Sequence, residues 1–256
     1  MSAPEELIVV GDGPLATVHR LAALAVGWST PATVVVSPLP VRAADVLDAL
    51  GTGHPVLVDT PIAADAEDAR RIEAADRAGL VVYGEHLAHA PIVRLALDHI
   101  RRMGPLRHVE VRSLSPAGAP HDPTVARARA IALALLLTDA EPIGVHAGVT
   151  AFDLEFEGGL VAHIEIGASD LGEVWDLQAS SDTGVVRAEL FPAGELDIDG
   201  DPVGLPPVPS DIDPRLVTLG HVDQMRAFAS VTRGEQPLLG AAFGRLVAEL
   251  VQRSRA

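Results

Sequence analysis

Two short constellations carry residue types that could do chemistry. Glu85-His86-Leu87-Ala88-His89 sets two imidazoles and a carboxylate within five residues, the ingredients of an acid–base pair or of part of a metal site. A mononuclear site needs at least three protein ligands, and no third strong ligand stands nearby. Glu85, His86 and His89 are therefore candidate catalytic groups, and no metal is expected. The second constellation is Gly11-x-Gly13-x-x-Ala16. In such a pattern the first glycine permits a tight turn, the second lets a pyrophosphate approach the backbone, and the small third residue packs helix on strand. A helix starting there offers free N–H groups to the phosphates. The acid that reads a ribose belongs about 20 residues further on, yet Pro31 to Val36 contain neither Asp nor Glu. Arg127 and Arg129 interrupt an otherwise apolar stretch, reaching either solvent or an anionic ligand or partner. His121-Asp122 precedes a proline and reads as a helix-entry loop rather than a dyad.

Composition narrows the chemistry further. The 256 residues include no cysteine and no lysine, so all 19 basic residues are arginine. Thiolate catalysis, disulfides, iron–sulfur clusters, Schiff bases and a P-loop lysine are excluded. A net charge of −16 excludes the basic face that nucleic acid requires, and 3% aromatics leave few rings for a stacking platform. The longest apolar run, Ala130 to Leu137, falls far short of the ~20 residues of a membrane span. The N-terminus has no basic n-region and no separate apolar h-region, so a cytoplasmic location is expected.

The elements that must position these residues change character near residue 100. Before it, apolar runs at residues 6–10, 32–37, 55–59 and 79–83 alternate with helical spacing at 17–26, 41–50 and 64–78. Near-continuous apolar strands alternating with helices predict a parallel sheet covered on both faces. The short connection from Val26 to Ala32 leaves room for only four or five strands. After it, His108 to Arg112 alternates in period two, and Thr124 to Leu137 reads as a buried helix. Residues 150–157 and 160–166 flank Gly158-Gly159, a hairpin signal. Short strands continue to about residue 198, a Pro- and Asp-rich loop spans 202–214, and two helices close the chain at 222–232 and 241–253.

Taken in order, these segments resemble the glucose–fructose oxidoreductase/inositol dehydrogenase (Gfo/Idh/MocA) family, from about residue 6 to 253. Ile8-Val-Val-Gly-Asp-Gly-Pro-Leu-Ala-Thr-Val-His19 is similar to its opening strand and glycine loop. Residues 32–40 with 49–61 are similar to a later strand–helix–strand unit, and Val82 to His86 with His89-Ala-Pro91 to the crossover into its second domain. The resemblance implies a fold of the α/β class. A truncated Rossmann-like parallel sheet domain over 1–100 is followed by an α+β domain with an open, mainly antiparallel sheet over 101–256. It also implies NAD(P) as cofactor, held through Gly11, Gly13, Ala16 and His19, and oxidation or reduction of sugars and polyols.

The departures point the other way. The family's Glu-Lys-Pro tripeptide falls on Asp59-Thr60-Pro61, so Thr60 stands at the lysine position. Its Asp-x-x-x-His pair falls on Val125 and Arg129, or on Ala126 and Ala130. Two strand–helix units, including the ribose-reading acid, are missing between the first helix and residue 32. The expectation is a degenerate homologue without dehydrogenase activity and without an obligatory cofactor, acting as a partner or ligand-binding subunit. Two alternatives stay open: an NAD(P)-dependent oxidoreductase with a rebuilt site, or a redox-free lyase, isomerase or cyclase using Glu85, His86 and the arginines. A homo-oligomer, or a hetero-oligomer with a full-length homologue, is expected through the second sheet, whose residues 152–156, 164–166 and 174–177 would leave an apolar face incompletely covered.

Overall fold

The computed structural model describes residues 7–118, 122–170 and 172–255. These divide into two compact units, residues 1–89 with 209–249, and residues 90–208 with 250–256. The helices near residue 220 thus fold with the first unit, a return that a linear division at residue 100 does not contain.

In the first unit, β1 (Leu7–Val10), β2 (Ala32–Val35), β3 (Val56–Asp59) and β4 (Val81–Gly84) form a parallel sheet in the order β1-β2-β3-β4. Between them run α1 (Gly13–Ala25), α2 (Leu39–Leu50) and α3 (Ala66–Ala75). Period-two alternation assigns the faces. Val9, Val34, Leu57 and Val82 sit side by side in the ladder. They pack with Ala16, Ala22 and Ala23 of α1 and with Met225, Phe228 and Val231 of α7 (His221–Val231). The opposite face, with Val58 and Tyr83, belongs to the other helices. Phe243 and Gly244 of α8 (Ala241–Arg253) lie against Tyr83. Glu73 and Arg70 of α3 pair with Arg245 and Glu249 of α8, and α2 touches α3. A short helix, α6 (Pro214–Thr218), leads into α7.

This layout has a topological consequence. The strand order advances steadily, yet α1 lies on one face while α2 and α3 lie on the other. The β1–α1–β2 crossover therefore has the opposite hand to the two that follow, although about 98% of such units are right-handed. In a full doubly wound sheet the first helix also lies opposite the later ones, but there the strand order reverses. Deleting two strand–helix units after α1 leaves the helix where it was and removes the reversal.

The second unit carries an eight-stranded mixed sheet, ordered β12-β11-β10-β9-β5-β8-β7-β6. Its strands are β5 (Leu106–Pro116), β6 (Gly144–His146), β7 (Ala151–Glu155), β8 (Val161–Ser169), β9 (Val174–Ser181), β10 (Val185–Phe191), β11 (Glu195–Ile198) and β12 (Asp201–Val203). Only the β5–β8 pair is parallel; β7 and β8 form the hairpin whose turn uses Gly158 and Gly159 at positive φ. One face is covered by α4 (Pro91–Ile100) and α5 (Pro123–Thr138). The row Phe152, Ile164, Val111, Leu177, Ala188 and Leu196 crosses six strands on that side, each residue at most 2% exposed. The adjacent row on the outer side reads Asp153, His163, Glu110, Gln178, Arg187 and Asp197. The expected uncovered apolar face is thus corrected. The apolar half of the alternation is buried under helices, and the outer half is polar.

Candidate functional site

In open α/β sheets, ligands bind outside the carboxyl ends of the strands, where neighbouring connections leave toward opposite faces. Here that place is the end of β1 and β2, and the sequence candidates gather around it within the first unit. Extending the ladder by two residues puts Asp12, Ser37, Thr60 and Glu85 at one level beyond the four strands.

Gly11 has φ +107°, and a Cβ there would stand 2.8 Å from Ser37 N and 2.9 Å from the Val36 carbonyl carbon. Its glycine is accounted for by contact with the chain's own backbone. Gly13 has φ +82° with open space beside it, which leaves a phosphate room to approach. Behind it α1 begins with Asp12 at the N-cap, its carboxylate unbonded to the helix, and with Pro14 removing a first-turn N–H. Ala16 is fully buried against the sheet, as helix–strand contact requires. Ser37-Pro38 follows β2, so no acid ends that strand. The Gly11–Ala16 turn has room for a phosphate, and among the described residues no carboxylate ends β2.

Buried polar groups lie alongside. His19, on the inner face of α1, is 1% exposed and neither ring nitrogen has a hydrogen-bond partner. Burial pulls its pKa below the ordinary imidazole value, against the opposing pull of Asp59, so this imidazole is neutral at pH 7. Its ring meets that of His221 edge-on, centroids 6.0 Å apart. His221 in turn stacks on His86 at 4.1 Å. The Nδ1 of His86 lies 2.7 Å from the Leu219 carbonyl oxygen; that oxygen can only accept, so Nδ1 carries the proton. Gln224, one turn after His221, is buried with neither amide atom bonded.

The Oε1 of Glu85 accepts from Leu87 N at 3.2 Å. His89 is buried at the far end of the same turn. Thr60 is fully buried, its hydroxyl unbonded. Arg42 of α2 organises the loops below, donating to the carbonyls of Ser37 (2.9 Å), Asp59 (3.0 Å) and Pro61 (2.6 Å). Such an arrangement can hold a neutral imidazole within the field of the Asp59 carboxylate, beside a stacked pair of imidazole rings. Among the described residues no cluster of three or more ligands suits a metal ion.

The sequence reading missed His221 and Gln224. Only their histidine and amide at the start of a closing helix hint at a role, more than 130 residues from His86. Arg127, in the second unit, resolves differently from either expectation. Arg127 is buried and donates to the carbonyls of Ser254 (2.7 Å), Gly148 (3.1 Å) and Val149 (2.9 Å), with its guanidinium 4.6 Å from the Phe152 ring. It ties the chain end to a loop. Arg129 lies over Trp175 at 5.4 Å. His121 lies outside the described residues, while Asp122 caps α5 by accepting from Thr124 N at 2.8 Å.

GenD2 from gentamicin A biosynthesis, solved in complex with NAD, is 16% identical with a TM-score of 0.79, over 99% of this chain and 94% of that one. The UDP-N-acetylglucosamine 3-dehydrogenase GnnA from Acidithiobacillus ferrooxidans is 18% identical (TM-score 0.77, 97% and 96% covered). The Lactobacillus casei myo-inositol dehydrogenase, solved with NAD(H) and myo-inositol, is 16% identical (0.75, 97% and 92%). The chain has the fold of the Gfo/Idh/MocA oxidoreductases. No sequence-family profile matches it, and no curated protein matches by sequence.

Proposed function

We propose that this protein is a homologue of the Gfo/Idh/MocA oxidoreductases that has left hydride transfer and works by association, as a partner or ligand-binding subunit. The observation that carries the reading is the four-stranded order β1-β2-β3-β4, in which β1 is followed in space directly by β2. Among the described residues the half of a doubly wound sheet that would read the adenosine ribose has no counterpart, which supports a role without an obligatory dinucleotide. Thr60 adds to it, since a hydroxyl cannot serve as a cationic proton donor. The proposed setting is cytoplasmic, with protein partners and neither nucleic acid nor membrane; among the described residues no helix is long and apolar enough to cross a bilayer.

Titration with NADH and NADPH, followed by nicotinamide fluorescence, tests the reading. No binding at millimolar cofactor is expected, and Thr60→Lys alone should restore no polyol oxidation, because catalytic groups act as a unit. Micromolar binding with substrate-dependent NADH production would overturn it. The stacked His86–His221 pair and the neutral His19 favour a second reading, a redox-free lyase or isomerase. Its signature is turnover without cofactor that His86→Ala abolishes.

A further inference from the structure

The missing half of the sheet leaves a strand that is central in a doubly wound fold standing at an edge. Among the described residues β1 pairs only with β2. The opposite edge is treated differently: Tyr83 N, on the outer side of β4, donates to the Leu239 carbonyl at 2.8 Å, so the segment leading into α8 covers that border. Beside β1, Ile8 is 57% exposed, which is unusual for a parallel sheet.

The backbone direction identifies what fits there. Val36 N donates to the Val10 carbonyl, so Ile8 and Val10 turn their N–H and C=O toward β2. Leu7 and Val9 turn theirs outward. An extended strand is the chemical complement of such a row. We propose that it is β1 of a second copy, related by a two-fold axis normal to the sheet that passes between the two Val9 residues. In that register Val9 of each copy exchanges both hydrogen bonds with the other. Ile8 then opposes Val10 of the second copy on the same face, twice, forming apolar cross-strand pairs. Leu7 to Gly11 carries no charge, so the five residues that pair bring no charge into the ladder. Among the chain's other uncovered edges, β12 contains Pro202 and β6 spans three residues, so β1 is the strand best suited to pair with itself. The inference does not depend on the loss of hydride transfer, and it uses a border of the molecule that the expected second-sheet association does not.

Sedimentation equilibrium of the full chain over micromolar concentrations tests it, with two variants. Val9→Pro removes the outward donor and spares the β1–β2 ladder; Ile8→Lys charges an exposed position without touching the core. Each variant's circular dichroism and melting temperature verify folding. The expected result is a reversible wild-type dimer whose dissociation constant rises about tenfold or more in either variant, the scale of one or two lost hydrogen bonds. A wild-type chain that stays at the 26.7 kDa monomer mass to about 100 µM, well above the micromolar range of modest complexes, overturns the proposal. So does a dimer indifferent to both substitutions, which assigns association to another surface.

Discussion

The two sheets solve the same burial problem in opposite ways. The parallel sheet is covered on both faces, so its polar chemistry is expelled to one end, where His19, Thr60, Glu85 and His86 are buried beyond the strands. The mixed sheet is covered on one face only, and its polar residues spread over the other in registered rows. A buried end suits a small ligand or a proton; a broad polar face suits a macromolecular surface. Buried polar groups are concentrated in one unit and exposed polar rows are distributed in the other.

The largest expected contrast lies within the mixed sheet itself. Leu154→Ala on the buried side should cost about 2–5 kcal/mol in chemical denaturation. Gln178→Ala, on the outer side, should stay within about 0.5 kcal/mol. Equal losses would show that the outer row is itself covered. Arg127→Met should lose about 2–4 kcal/mol, because the carbonyls of Ser254, Gly148 and Val149 lose their buried donor. A variant as stable as wild type would reassign Arg127 to a ligand.

The buried end makes a pH prediction. Because burial lowers the folded pKa of His19, the unfolded chain binds a proton near pH 6.5 that the native one refuses. Stability should therefore fall as pH drops below about 6.5, by up to about 1.4 kcal/mol per unit. His19→Leu should flatten that slope in denaturation curves at pH 7 and 5.5; an unchanged slope would place the titrating group elsewhere. The smallest effect belongs to the exposed Arg107–Asp182 pair (2.6 Å). Hydrogen bonding to Arg107 holds the Asp182 carboxyl below its ordinary range, so Arg107→Ala should raise that pKa in an NMR titration while barely moving the melting temperature.

Much of this was legible in the residues. Apolar runs punctuated by Gly and Pro located β1 to β4, and the short connection from Val26 to Ala32 anticipated a sheet of four or five strands, of which four are present. Gly11, Gly13 and Ala16 marked the strand–helix turn. What local pattern cannot carry is partnership at long range. Alternation in 152–156 and 164–166 reveals two faces but not which one the helices take. The parallel β5–β8 pairing is invisible to period two. His221 reaches His86 only because α7 returns to the first unit, and that return depends on which face α1 occupies.

The reversed hand of β1–α1–β2 sets an order of assembly. A strand and helix joined with the common hand can close on a neighbouring strand early, from local contacts. Here α1 faces away from α2 and packs on the sheet and on α7, some two hundred residues later in the chain, so on the ribosome part of its apolar side stays uncovered until that helix emerges. The first of the described helices to be synthesised is thus among the last to complete its packing.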